Sequence, residues 1–410
     1  TTSIQSETND TDSLTLTSGA GTITLVEVGG SSKPLTSFVA TSNALTISND
    51  ITTTGLIDIN APITLGADVA LSSGTGTGNI ELGSTIVGAH NLDISSGSGA
   101  VTITGDVGAE ASKALTSLDI NNGSETGNVT LTGNIGTASL SGVSGAVNIG
   151  NNGLTGTITF GGTDYNTTGA QTYIADAYSM TGANPDFNTD NDDISFQDGG
   201  ITLATISNLE VNTGSTTAGD ITIEGAIAGT SDNTNTTITL EAGSGSVAVG
   251  GMSTDIGNVT LDGSGGITLN VSITTNGGNI DINDPTTIGG AVVLTTGGGT
   301  VDFASTIIGN SQHFDINSGS GAVSVGGTIG GNSPLASLDI NKTSGSGAIT
   351  LNDIGDSNTQ GVTGTSNIGN DTTTTLTLAG TTYKTDAVTY TTKAGENIDL
   401  TGGADTTFTT

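Results

Sequence analysis

Short runs of an apolar, a polar and an apolar residue recur along the chain. Ile57-Asp58-Ile59, Ile80-Glu81-Leu82, Val101-Thr102-Ile103, Val129-Thr130-Leu131 and Ile158-Thr159-Phe160 begin 23, 21, 28 and 29 residues apart. A second series starts at Ile280, Val301, Val323, Ile349 and Leu376, with spacings of 21, 22, 26 and 27. Further triplets lie between these, such as Leu92-Asp93-Ile94 and Leu118-Asp119-Ile120. Alternation turns the outer residues of a triplet to one side and the middle residue to the other, which predicts a short half-buried strand. A repeat of this length holding two or three strands and no helix predicts an all-β parallel β-helix, or β-solenoid. At about 23 residues per coil the chain is long enough for roughly 18 coils. Ile57, Ile80, Val101, Val129 and Ile158 are expected to stack in one inward column, and Ile280 to Leu376 in another.

The pattern has a longer period as well. Ile57-Asp58-Ile59-Asn60-Ala61-Pro62 is answered by Ile280-Asp281-Ile282-Asn283-Asp284-Pro285, and Ser117-Leu118-Asp119-Ile120-Asn121 by Ser337-Leu338-Asp339-Ile340-Asn341. His90 and His313 occupy the same place in the two copies. The slowly drifting offset predicts a duplicated unit of about 222 residues: a first solenoid unit over 1–222 and a second, shorter one over 223–410, continuous with it. Because the second unit stops short, the 410 residues are expected to be a window on a longer array or one subunit of a polymer. Gly-rich runs between triplets mark corners, where positive φ is needed. Asn60, Asn121, Asn283, Asn317 and Asn341 follow triplets, either as turn residues or as amides stacked along the axis.

Composition narrows the partners. The formal charge is −34, with five lysines and no arginine. Phosphate contacts rest on Lys and Arg, so nucleic acid and anionic membrane are not expected partners. There is no cysteine, hence no disulfide framework or thiolate metal site. No apolar run approaches the ~20 residues of a membrane-spanning helix. Hydrophobic residues make up only 32%, but the 66 glycines bring the share to an ordinary value for a folded chain.

Candidate chemistry is sparse. Asp190, Asp192 and Asp193, with Asn188 and Asn191, offer oxygens suited to a hard cation such as calcium; a solvated acidic loop is the other reading. No other cofactor is expected. Tyr165, Tyr173 and Tyr178 fall in a segment of weak periodicity, 165–190, and read either as a carbohydrate-stacking platform or as cover for an imperfectly closed coil. A carbohydrate-active β-helix enzyme, a lyase or glycosidase, is an alternative class. Glycosidases need two carboxylates flanking a cleft, whereas adjacent Asp192 and Asp193 would diverge in a strand. Asp58, Glu81, Asp281 and Asp302 are middle residues of triplets and read as a solvated outer face. Thr-x-Thr pairs such as Thr102/Thr104 and Thr130/Thr132 raise ice binding as a further alternative, although their phase along the coils looks irregular.

The links Gly83-Ser84-Thr85-Ile86 and Gly326-Gly327-Thr328-Ile329, with the tails Gly162-Thr163-Asp164-Tyr165 and Gly380-Thr381-Thr382-Tyr383, resemble the repeat regions of large bacterial surface proteins of the filamentous-haemagglutinin type. The resemblance covers nearly the whole chain. It implies a right-handed parallel β-helix, secreted to the cell surface or into a fibre, acting as an adhesin stalk or filament with no catalytic site. The expected partners are the chain itself, head to tail or as a continuing array, and cell-surface glycans.

Overall fold

The computed structural model describes residues 4–409, except 8–10, 31, 154–155, 205–207, 218, 231–235, 254 and 404–405. Its described residues form β-strands, turns and bends without a helix, and its strands pair parallel across successive coils. They make a β-solenoid of about 17 turns. The chain divides into two compact units, residues 1–207 with 212–214, and residues 208–211 with 215–410.

In the first unit each coil carries three strand positions. Ile57–Asn60, Ile63–Leu65 and Val69–Ser72 form one coil; Ile80–Leu82, Ile86–Val87 and Asn91–Ser95 form the next. Each strand pairs with its counterpart one coil on, so Ile57 faces Ile80, Ile63 faces Ile86 and Val69 faces Leu92. The predicted column is present in register: Ile80 faces Val101, Val101 faces Val129, and Val129 faces Ile158. All five residues are fully buried. The intermediate triplets belong to a different face, where Leu92 and Ile94 pair with Leu118 and Ile120.

The second unit repeats this logic. Ile280 faces Val301, then Val323, Ile349 and Leu376 follow in the same ladder. These five are buried too. Parallel stacking places like side chains above one another, so a β-branched residue in one coil sits on the next and the interior fills without gaps.

Corners bring backbones close. A Cβ added at Gly127 would lie 1.6 Å from the Gly99 carbonyl oxygen one coil earlier, so only glycine fits there. One corner is lined inside by hydroxyls and amides. Thr53, Ser73, Ser96 and Asn121 are completely buried in the first unit, as are Ser318 and Asn341 in the second, with Thr275 and Thr296 nearly so. Ser73, Ser96, Thr296 and Ser318 each donate to a glycine carbonyl of their own corner. This satisfies buried backbone acceptors that no strand partner reaches.

The asparagines do not form the simple axial stack that the triplets suggest. Asn60 and Asn283 are exposed, whereas Asn121 and Asn341 turn inward with φ of 50° and 49°. Each holds the serine of the preceding coil. Asn121 accepts from the Ser96 N–H (3.0 Å) and donates to its Oγ (3.0 Å); Asn341 does the same with Ser318 (2.8 and 2.9 Å). An amide-to-amide contact does occur elsewhere, from Asn188 to Asn166 (2.8 Å).

Candidate functional site

The acidic corner follows the strand Asp186–Asn188, which pairs with Asp164–Asn166. Thr189 turns inward and donates to the Asp192 carbonyl, which tightens the turn. Asn191 takes the left-handed conformation, φ 70°, and its amide donates to the Asp190 carboxylate at 2.9 Å. The carboxylates of Asp190, Asp192 and Asp193 all stand exposed on this one corner. They are near in sequence but are not gathered round a point. Among the described residues no group of three or more His, Cys, Asp or Glu is arranged to hold a metal ion. Asp190 also borders a shallow groove of about 450 Å³ whose other polar walls include Thr137, Ser139, Asn166, Thr168 and Asn188.

The tyrosines of the same region point the other way. Tyr165, Tyr173 and Tyr178 are buried with Phe160, Phe187 and Phe196, which rules out a surface stacking platform. Tyr165 stacks on Phe187 at 4.6 Å and Tyr173 on Phe196 at 5.0 Å, while Phe160 meets Tyr165 and Tyr173 edge-on at 5.0 Å. The ring hydroxyls have partners inside. Tyr173 donates to Gln171 Oε1 (3.0 Å), and the wholly buried Gln171 amide donates to the carbonyls of Tyr165 and Asn188. Tyr165 Oη accepts from the Gly162 N–H (2.9 Å). Burial pushes the Tyr165 and Tyr173 hydroxyls well above the usual tyrosine range.

The segment expected to be least regular is thus ordered coil. Gln171–Met180 is one ten-residue strand that turns a corner, pairing first with Val147–Gly150 and then with Thr157–Phe160. Its weak periodicity in the sequence comes from bulky rings replacing Ile, Val and Leu at inward places. The triplets Tyr165-Asn166-Thr167, Phe187-Asn188-Thr189 and Val211-Asn212-Thr213 carry a signal that could have shown this, an apolar residue followed by Asn-Thr.

The outward threonines keep a steadier phase than the sequence suggests. Thr102, Thr130, Thr159, Ser179 and Thr202 face one another in turn along five coils. The neighbouring outward row is Thr104, Thr132, Gly161, Thr181 and Ala204, read from the continuing backbone bonds. The first row is unbroken in hydroxyls and the second is interrupted, so the double column is partial. His90 lies 3.7 Å from the Asp68 carboxylate, while His313 Nδ1 is 2.7 Å from Ser337 Oγ on an exposed strand surface. His313 faces Ser337 as Asn91 faces Ser117, so the two histidines do not hold the same position, contrary to the expectation from the sequence.

This geometry defines the class as a parallel β-solenoid with a packed interior. Compared with known proteins, the chain matches no family model, no curated protein and no solved structure.

Proposed function

We propose that the chain is a non-enzymatic structural or adhesive element of the extracellular surface, a β-solenoid stalk or filament subunit of a large protein of the filamentous-haemagglutinin type. The observation that carries this reading is the pair of long inner columns, Phe38 to Ile201 in the first unit and Ile238 to Leu376 in the second, in register from coil to coil and filled throughout by buried side chains. Such stacking transmits load from coil to coil and needs no ligand. The right-handed coil sense and the internal duplication belong to the same proposal. The proposed partner is a further coil of the same kind, in a continuing array or from a second copy docked head to tail. Cell-surface glycans are the proposed receptors, and the arginine-free acidic exterior does not suit nucleic acid.

Electron microscopy of the native assembly tests the reading: stalks or filaments are expected, and compact isolated particles would overturn it. A panel of acidic and neutral polysaccharides should survive incubation intact. Reproducible depolymerisation that Asp192→Asn or Asp193→Asn abolishes would show an enzyme instead. The aligned Thr102–Thr202 row favours one second reading, a face that orders water or ice. Inhibition of ice recrystallisation, lost in Thr130→Lys, is its test.

A further inference from the structure

The middle residues of several triplets are carboxylates, and the register sets them above one another. In the first unit Asp58 faces Glu81 and Asp93 faces Asp119. In the second, Asp281 faces Asp302 and Asp315 faces Asp339. Neighbouring parallel strands lie ~4.8 Å apart, and like charges placed directly opposite each other destabilise a sheet. Asp58, Asp281 and Asp315 are half-buried, and so is Asp119 below Asp93, which itself stands more exposed, so water screens the stacks incompletely and that of Asp93 best.

The surroundings of each pair are mostly uncharged or acidic. Asp58 has Val39 on its other side and accepts from Asn60 Nδ2 (2.7 Å), and Glu81 has Thr102. Asp93 has Ala70 on its other side, with Asp50 and Glu125 adding negative charge nearby. Asp119 accepts from Asn148 Nδ2 at 2.7 Å. Asp281 is flanked by Thr260 and Asp302 by Ser324. Among the described residues only the fourth stack has cations in reach: Lys342 lies 2.8 Å from Asp339, and both Lys342 and His313 act on Asp315, whose other strand neighbour is Val293.

We propose that these four carboxylate stacks are a pH-responsive device built into the fold, leaving each unit less tightly held at neutral pH than in mildly acidic surroundings, where one partner of each stack takes a proton. The direction in which their surroundings shift them agrees. Burial, and next the facing carboxylate, raise Asp58, Asp93, Asp281 and Asp315 above the usual range. A carboxyl raised on folding binds its proton more tightly when folded. Its charge therefore weakens the fold at neutral pH, and that weakening disappears as pH falls through the raised value towards ~4. Asp356 works the opposite way, because the Asn358 and Thr359 N–H groups lower it, so its support fades only at still lower pH.

The experiment is thermal unfolding of the whole chain, followed by circular dichroism, between pH ~7 and ~4 at low and at high sodium chloride. The expected Tm rises by several degrees on acidification at low salt, and the gain shrinks at high salt as the repulsion is screened. Asp93→Asn and Asp315→Asn, each made alone, should raise Tm at neutral pH and flatten the acid gain. Asp371→Asn, an equal change of net charge on an exposed turn, should do neither. The proposal fails if the stack variants lower Tm, if they keep the parent's pH slope, or if Asp371→Asn reproduces their effect. Stabilisation by millimolar calcium far beyond sodium chloride of equal ionic strength would also overturn it, in favour of specific cation binding.

Discussion

Replacing Asn121 tests the buried polar corner most directly. Its side chain holds Ser96 at two atoms, accepting from the N–H and donating to Oγ, and both residues are wholly inaccessible to water. Ser96 Oγ spends its own proton on the Gly99 carbonyl, so what it takes from Asn121 Nδ2 is a donated hydrogen. Asn121→Ala would leave the Ser96 N–H buried without a partner, which costs about 1–3 kcal/mol, and would lose a further bond worth about 1 kcal/mol. The left-handed φ of 50° adds about 1 kcal/mol for a residue with an ordinary Cβ. The total is about 3–5 kcal/mol. Asn121→Gly deletes the same hydrogen bonds but accepts the backbone conformation, so its loss should be about 1 kcal/mol smaller. Urea unfolding supplies the free energies, and hydrogen exchange of the Ser96 amide reports the local effect. The expected order of stability is parent, then glycine, then alanine, with Ser96 exchange accelerated in both variants. Equal losses in the two variants would refute the backbone part of the reasoning. Losses within about 0.5 kcal/mol of the parent, the range of ordinary surface changes, would refute the whole of it. Asn341→Ala should repeat the result in the second unit, with Ser318 as the reporter.

Val129→Asp places an unpaired charge between Val101 and Ile158 and should cost several kcal/mol, seen as a large fall in the urea midpoint; a solvent-tolerated change would contradict the inward column. Gly127→Ala should be similarly severe, because the added Cβ meets the Gly99 carbonyl, and soluble expression with an unchanged melting curve would count against that close approach. Tyrosine ionisation followed by ultraviolet absorbance should be delayed in the folded protein. Burial first, and then neighbouring charge for Tyr165, Tyr173 and Tyr390, push the hydroxyls up, and Tyr383 is pushed up to about 12. Because the folded values are raised, the stability they lend is complete below pH ~10 and lost as pH rises above it, so alkaline unfolding and ionisation should coincide. Tyrosines that titrate normally in the folded state would contradict their burial.

The local pattern was enough to determine the strands and the inward columns. A strand has only two faces, so alternation in Ile57-Asp58-Ile59 or Val323-Ser324-Val325 states which side is buried without reference to the rest of the chain. The same holds for the coil length, since a repeat must return to its own ladder. Other features depended on what lies one coil away, and no window along the chain contains that information. Tertiary register decided that Asp93 stands over Asp119, that the threonines of 102–202 form a row, and that Asn121 reaches Ser96 while Asn60 stays outside. The tyrosines were ambiguous for a physical reason: a large ring with a hydroxyl suits a wet surface and a packed interior alike, and Gln171 settled the matter by giving Tyr173 a partner inside. The three aspartates at 190, 192 and 193 were legible as an acidic corner. Their failure to converge followed from the turn at Asn191 and the inward Thr189, which hold the backbone while the carboxylates stay in solvent.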